Sequence, residues 1–320
     1  MRRFIGERRT EAERIDPRLG PLVAELEAAV CSGGKRLRPL LAGWGYRAGG
    51  REVDEPMLRA GGCLELLHTF ALIQDDVMDG SPTRRGRPAS HVTLAGQASR
   101  DAAKFGRDAA ILLGDLALIW ADRLLTEAGF PPERLAAGQW VYNELRAEVT
   151  LGQYLDVLAA HSDRLTEADA LQVNHYKTAT YTVQRPIQFG LALAGAAEEL
   201  LGAVPAYAIP AGIAFQLRDD LLGAVGDPAL TGKPSGQDLL ARKPTWLWAR
   251  TLHLRPEAGG LTDVAALRAA VLETGAAADA EAKIRELGEE ALAAAGRLPV
   301  APDLRRELAE LTERLLWRTS

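Results

Sequence analysis

Residues 66–79 read LLHTFALIQDDVMD, an apolar run that ends in three aspartates. In a helix, Asp75 and Asp79 lie one turn apart on one face, with Cβ atoms about 5–6 Å apart, and Asp76 lies roughly 100° around the axis. Three carboxylates at one helix end repel one another and need compensation. Water at an exposed helix end would reduce the repulsion between the carboxylates. A bound Mg²⁺ would also reduce it, because hard cations take carboxylate oxygens as ligands and share them with phosphate.

A second acidic motif has the same character. Residues 215–220 read FQLRDD, so Asp219 and Asp220 also close a long apolar segment, and Gly223 stands where a third carboxylate would complete the repeat. Two such pairs at the ends of apolar helices indicate metal binding more strongly than one pair alone.

Basic residues form a third group. The stretch 33–39 reads GGKRLRP and the stretch 84–87 reads RRGR, directly after the first acidic motif. Lys177, Lys233 and Lys243 are further candidates. Arginine forks and lysine charges bind phosphate oxygens, so we predict one pocket for metal ions and polyphosphate. No GxxxxGK[ST] motif is present, which disfavours a P-loop enzyme.

The composition predicts an all-α fold. The 320 residues are 47% hydrophobic, 25% charged and 6% aromatic, with the balance of an ordinary globular protein. The helix formers Ala, Leu, Arg and Glu are abundant, and no long strict alternation occurs. Apolar spacing predicts helices at 102–126, 132–160, 166–194 and 279–295. No linker divides the chain, so we expect one all-α domain over residues 1–320, with packing helices after about residue 255.

Charge and hydropathy exclude several partners. The net charge of −5 argues against a nucleic-acid surface. Cys31 and Cys63 have no disulfide or zinc spacing, which suits the cytoplasm. The N-terminus lacks the apolar core of a signal peptide. The apolar run 200–217 contains Pro205 and Pro210, so we predict a pair of buried helices, and no membrane anchor.

Nine motifs in sequence order extend from residue 33 to about residue 245. They are GGKRLRP, LLHTFALIQDDVMD, TRRGRP, AAILLGDLAL, GQYLD, YKTATYT, AFQLRDDLLG, GDPALTGKP and DL…KPT. In this order the chain resembles the trans-isoprenyl diphosphate synthases (polyprenyl synthetase family), especially bacterial geranylgeranyl diphosphate synthases. The resemblance implies a single large helical bundle of the isoprenoid synthase type with a central active-site cavity. It also implies a homodimer that uses three Mg²⁺ per active site.

The resemblance also assigns roles to individual residues. It implies Mg²⁺ ligands at Asp75, Asp76, Asp79, Asp219 and Asp220, allylic diphosphate contacts at Arg84, Lys177, Lys233 and Lys243, and isopentenyl diphosphate contacts at Lys35, Arg38, His68 and Arg85. Lys177, Thr178 and Gln216 are the expected catalytic residues. Asp115, Gln153 and Asp156 either support the pocket or pack around it.

The implied reaction joins isopentenyl diphosphate head-to-tail to an allylic diphosphate. The allylic C–O bond ionises, the double bond of isopentenyl diphosphate attacks the cation, and the released diphosphate takes the proton. Phe70 lies five residues before Asp75, about 7–8 Å deeper along a helix. With Ala71 it is the expected floor of the product tunnel, which favours geranylgeranyl over farnesyl diphosphate. Phe70 as ordinary core is the alternative.

Three departures from the family pattern leave alternatives open, and Gln74 in place of the common histidine is the mildest. Gly223 replaces an aspartate, and residues 240–244 read LARKP where the family reads close to REGKR, so Pro244 can re-aim Lys243. A terpene cyclase would use one allylic diphosphate alone, and the complete isopentenyl set argues against it. A non-catalytic partner subunit would be expected to lose an acidic motif, and this chain keeps both pairs.

Overall fold

The computed structural model describes residues 1–162, 164–226 and 236–317. Within these ranges the chain is helical apart from one pair of two-residue strands, which confirms the all-α prediction. The chain divides into two compact units. The first comprises Met1–Gly43 and Glu52–Leu135, and the second comprises Trp44–Arg51 and Ala136–Ser320. One domain over residues 1–320 stays a prediction.

The first unit is built around two long helices. Its elements in chain order are α1 (Arg2–Ile15), a 3₁₀ turn (Pro17–Leu19), α2 (Gly20–Cys31), α3 (Leu37–Ala48, whose end belongs to the second unit), α4 (Glu55–Met78), β1 (Thr83–Arg84), β2 (Arg87–Pro88), α5 (Ser90–Ala95) and α6 (Ala102–Thr126).

The second unit contains the remaining helices. They are α7 (Pro132–Ala160, which begins in the first unit), α8 (Glu167–Val173), a π-helical segment (Asn174–Gln184), α9 (Arg185–Ala194), α10 (Glu198–Val225), α11 (Gln237–Leu240), α12 (Trp246–Leu254), a 3₁₀ turn (Pro256–Gly260), α13 (Val264–Glu273), α14 (Ala276–Arg297) and α15 (Pro302–Leu316).

Helix α4 carries the first acidic motif at its C-terminal end. It begins where the Asp54 carboxylate accepts a hydrogen bond from the Met57 nitrogen at 3.0 Å, a helix N-cap that satisfies a free backbone donor. Helix α6 packs along it. Just before the aspartates, the Gln74 side chain lies against Gly114 of α6 and donates from Nε2 to the Ile111 carbonyl at 3.3 Å.

The predicted helix over 166–194 is three segments. It starts with a capping box: Thr166 Oγ1 accepts from the Asp169 nitrogen at 3.1 Å, and Asp169 accepts from the Thr166 nitrogen at 3.2 Å. From Asn174 to Gln184 the chain is π-helical before α9 resumes the α geometry. Apolar spacing does not distinguish a π segment from an α-helix, and Lys177 and Thr178 lie within it.

Helix α10 is one continuous helix, so the predicted helix pair at 200–217 is wrong. Pro205 and Pro210 lie inside it. Further along the same helix, Arg218 pairs with both Glu281 oxygens at 2.6 and 2.7 Å. Among the described helices it alone is long and apolar enough to cross a membrane, and half of its most apolar window is buried. We assign it as a core helix.

Candidate active site

The first acidic motif is held by one arginine. Arg84 donates from Nε to Asp76 Oδ1 at 2.8 Å and from Nη2 to Asp75 Oδ2 at 3.1 Å. Burial raises the pKa of Asp76, and the Arg84 guanidinium opposes that shift. Asp79 is exposed and caps the helix through its backbone. The structure therefore brings Asp75, Asp76 and Arg84 together.

A short β-hairpin positions Arg84. Strand β1 pairs antiparallel with β2, with Arg84 opposite Arg87. The two turn residues, Arg85 and Gly86, have φ of 52° and 74°. This geometry belongs to a tight hairpin turn with two positive φ values, and it is unusual for arginine. Arg87 fixes the hairpin to the buried Glu25 carboxylate at 2.6 Å.

Four arginines surround His68, and we call Arg36, Arg38, Arg84 and Arg85 the arginine cluster. Arg85 Nη2 lies 3.4 Å from His68 Nε2. The pKa of His68 is well below its usual value because of burial and then because of the four positive charges. The imidazole is therefore neutral at physiological pH. Such a focus of positive charge attracts an anion.

The GGKR loop completes this cluster. Arg85 Nη1 donates to the Gly33 carbonyl at 2.9 Å. Gly34 has φ +105°, a backbone conformation that favours glycine, and the Arg85 guanidinium lies against it, with Nη2 2.8 Å from where a Cβ would be. Lys35 is exposed, while Arg36 is bonded to Glu65 and to the Val30 carbonyl. The sequence motif contained Arg36, but its place beside His68 was not predicted.

In the second unit, Lys177 is paired with Asp156. The Lys177 Nζ to Asp156 Oδ2 distance is 2.5 Å. A Cβ on Gly152 would lie 2.7 Å from the Lys177 nitrogen, so α7 supports the π segment directly beneath this lysine. Asp156 was predicted only as a supporting or packing residue, and the GQYLD motif provides both the glycine and the carboxylate.

A hydrogen-bond chain joins the expected catalytic residues to the second acidic motif. The Thr178 hydroxyl donates to Gln216 Oε1 at 2.8 Å, and Gln216 Nε2 donates to Asp220 Oδ1 at 2.7 Å. Burial raises the pKa of Asp220 to about 7, against the opposing hydrogen bond from Gln216. Asp219 is half-buried beside it on α10.

Lys243 lies in a short loop after α11. Its Nζ is 2.9 Å from Asp238 Oδ1, and its backbone nitrogen donates to the Asp238 carbonyl at 3.0 Å. Asp238 belongs to the triplet Gly-Gln-Asp at 236–238, and no role was predicted for it from the sequence. Lys233, the other lysine predicted here, lies outside the described residues. Lys243 is thus directed toward Asp238 by the loop that contains Pro244.

Phe70 and Ala71 are both half-buried on α4. Their predicted role as the floor of a product tunnel stays a prediction.

The carboxylates fit Mg²⁺ only in combination with other ligands. Among the described residues, no three His, Cys, Asp or Glu side chains come close enough to hold a metal ion by themselves. Mg²⁺ commonly binds through one or two carboxylates together with water and substrate phosphate. Burial raises the pKa of Asp76 and of Asp220, so each carboxylate lies where a further positive charge would stabilise it.

The fold and these residues define a class of protein, the isoprenyl diphosphate synthases. The structure is similar to that of a geranylgeranyl pyrophosphate synthase from Corynebacterium glutamicum complexed with isoprenyl diphosphate and magnesium. The TM-score is 0.93 at 35% identity, covering 99% of this chain and 96% of that one. The polyprenyl synthetase family model matches residues 21–280. The chain belongs to the polyprenyl synthetase family.

Two curated relatives are similar over most of the chain. A geranylfarnesyl diphosphate synthase from Aeropyrum pernix is 35% identical over 220 residues, which are 68% of this chain and 65% of that protein. A geranylgeranyl diphosphate synthase from Mycobacterium tuberculosis is 35% identical over 252 residues, 78% of this chain and 67% of that protein. The chain therefore spans about two thirds of the length of these relatives.

Proposed function

We propose that this protein is a Mg²⁺-dependent prenyltransferase. It condenses isopentenyl diphosphate with allylic diphosphates head-to-tail to give a short-chain all-trans prenyl diphosphate, chiefly geranylgeranyl diphosphate and secondarily farnesyl diphosphate. The observation that carries the proposal is the arginine cluster around neutral His68, on the same unit as an acidic pair already bonded to Arg84. Such a unit can bind a diphosphate anion and also share a hard cation with phosphate.

Isopentenyl diphosphate binds at Lys35, Arg38, His68 and Arg85. Arg38 and Arg85 supply fixed forks for phosphate oxygens, and Lys35 supplies an exposed point charge. His68 is held neutral, so it contributes a hydrogen bond to the anion rather than a further charge. The complete set favours a transferase over a cyclase, because a cyclase needs no second diphosphate.

The allylic diphosphate binds through Arg84, Lys177, Lys233 and Lys243, with Asp75, Asp76, Asp79, Asp219 and Asp220 as the Mg²⁺ ligands. When bound, Mg²⁺ (three ions by family resemblance) stabilises the negative charge that develops on the diphosphate as the C–O bond ionises. Contacts of Mg²⁺ and the basic side chains with the diphosphate become stronger as this charge develops, so they lower the activation barrier for ionisation.

Thr178 and Gln216 stabilise the allylic cation. The Thr178 hydroxyl directs its proton to Gln216 Oε1, so the lone pairs of its oxygen are free to face positive charge. Isopentenyl diphosphate attacks the cation, and the departing diphosphate accepts the proton that is lost. Histidine is not needed as a base. Phe70, with Ala71 beside it, limits the chain at twenty carbons because a ring blocks further growth.

We also propose a homodimer. Helix α6 presents Phe105, Leu112 and Ile119 at seven-residue spacing, and these side chains are 41%, 63% and 61% exposed. Exposed large apolar side chains on one stripe mark protein interfaces. Helix α7 shows a comparable exposed group, namely Leu151, Tyr154 and Leu158. The cytoplasm is the expected compartment, since neither Cys31 nor Cys63 forms a disulfide.

The deciding experiment supplies the purified protein with Mg²⁺, labelled isopentenyl diphosphate and, separately, dimethylallyl, geranyl and farnesyl diphosphates. Products are dephosphorylated and sized by chromatography. The proposal expects label in a twenty-carbon linear alcohol, and loss of this product in the Asp76→Asn variant. Hydrocarbon released from an allylic diphosphate alone would identify a cyclase. No turnover of any substrate would favour the non-catalytic subunit.

A further inference from the structure

Position 223 lacks the carboxylate that the family pattern has, and another carboxylate contacts that position. A Cβ built on Gly223 would lie 2.8 Å from Oδ2 of Asp238. This is shorter than real Cβ contacts, so the Asp238 oxygen lies where the side chain of residue 223 would begin. Gly223 is one turn beyond Asp219 and Asp220 on α10, and the two positions are fifteen residues apart in the chain.

Backbone contacts hold Asp238 in this place. The Gly236 nitrogen donates to the Gly223 carbonyl at 2.8 Å, which fixes the start of α11 against the end of α10. Gly236 has φ +83°, and a Cβ there would lie 2.6 Å from the Val264 side chain, so glycine permits the approach. On its other side, Asp238 Oδ1 is bonded to Lys243 Nζ at 2.9 Å.

Asp238 thus lies at the end of α10 that carries the second acidic motif. Its Oδ2 contacts the position from which a side chain of residue 223 would project, one helical turn beyond Asp219 and Asp220. A carboxylate on residue 223 itself would begin at the same place.

We infer that Asp238 supplies the third carboxylate of the second acidic motif, and that residue 223 is glycine because Asp238 takes its space. The inference rests on the proposed function for its chemistry, since the carboxylate serves Mg²⁺ and the diphosphate there. A simpler reading is that Asp238 only orients Lys243. The two readings differ in what an aspartate restored at position 223 would do.

The test is a double-mutant cycle with Gly223→Asp, Asp238→Ala and the double variant. Each is melted without metal, and again with Mg²⁺ and inorganic diphosphate. In the metal-free protein, Gly223→Asp alone lowers the melting temperature because two carboxylates meet, and Asp238→Ala restores it. With Mg²⁺ and diphosphate, the rise in melting temperature is lost in Asp238→Ala and returns in the double variant. If Gly223→Asp does not fold, Gly223→Ala replaces it in the metal-free cycle, because its Cβ alone meets the Asp238 side chain.

Prenyl transfer is followed in the same proteins. Asp238→Ala lowers kcat/KM by about tenfold or more, and the double variant recovers to within about threefold of the parent, because contacting residues couple strongly. Gly202→Asp is the matched control, because Gly202 lies on the same helix with no atom near its Cβ position. Adding Asp238→Ala to this control should restore neither the melting temperature nor kcat/KM.

The inference would be overturned if the effects of Gly223→Asp and Asp238→Ala on the melting temperature simply added in the double variant. A double variant no more active than Asp238→Ala would also overturn it. The metal-free melting cycle does not depend on catalysis. A parent protein without prenyl transfer would therefore refute the proposed function, while the melting cycle would still decide the relation between Gly223 and Asp238.

Discussion

Gly152 lies against the backbone of Lys177 so closely that no other side chain fits between them. A Cβ on Gly152 would be 2.7 Å from the Lys177 nitrogen and 2.9 Å from the Tyr176 carbonyl carbon. Lys177 is thus supported from below by glycine while its amine is fixed by Asp156. A lysine placed in this way loses little freedom when it binds an anion.

The first prediction concerns this contact. We expect Gly152→Ala to destabilise the protein by about 1–3 kcal/mol, as overpacking does, and to lower kcat more than KM changes, because the π segment must shift. Urea unfolding and steady-state kinetics measure the two effects. Gly202→Ala is the control, since its Cβ meets nothing within 4 Å, and it should leave both unchanged or slightly raise stability. Normal kcat in Gly152→Ala would contradict the proposed positioning.

The second prediction is a pH dependence from His68. Its pKa is lowered in the folded state by burial and by the arginine cluster. The unfolded chain therefore binds more protons below about pH 6.5, and the free energy of unfolding falls as the pH drops through that range. In His68→Gln this fall should be smaller.

Chemical unfolding at a series of pH values between about 5 and 8 measures the difference. His253→Gln, which changes an exposed histidine outside the arginine cluster, is the matched control. Identical slopes in His68→Gln and the parent would show that His68 is not held neutral.

A third prediction addresses product length. Phe70 is half-buried on α4, five residues before the first aspartate of its motif. We expect Phe70→Ala to lengthen the product beyond twenty carbons, because removing the ring opens space for further additions. Chromatography of the dephosphorylated products reads the length directly. Phe130→Ala removes a buried ring elsewhere in the first unit and should leave the length unchanged. An unaltered product spectrum in Phe70→Ala would assign Phe70 to ordinary core.

The fourth prediction tests the homodimer. Leu112 is 63% exposed on α6, and a charge there should be unfavourable in an apolar interface. We expect Leu112→Glu to convert a dimer to a monomer in sedimentation velocity at micromolar concentration. Arg107→Glu changes an exposed charged residue of the same helix and should remain dimeric. A dimer in Leu112→Glu would exclude this stripe as the interface.

Local pattern determined much of the fold. The apolar spacing predicted α6 and α7 with the bounds that the structure has, 102–126 and 132–160, because long amphipathic helices are set by a period that sequence displays directly. The capping box at Thr166 and the acidic ends of α4 and α10 were equally visible, since each depends on residues within one helical turn.

Other features depend on residues far apart in the chain, and only the tertiary structure decided them. The π segment packs closely against Gly152 of α7 and Gly212 of α10, and no helical period reveals these contacts. Helix α10 continues through Pro205 and Pro210, where the sequence alone predicts a break. The same holds for the site: the sequence identified aspartates and basic residues by type, but the neutral state of His68 and the approach of Asp238 to Gly223 arise from charges and contacts that folding brings together.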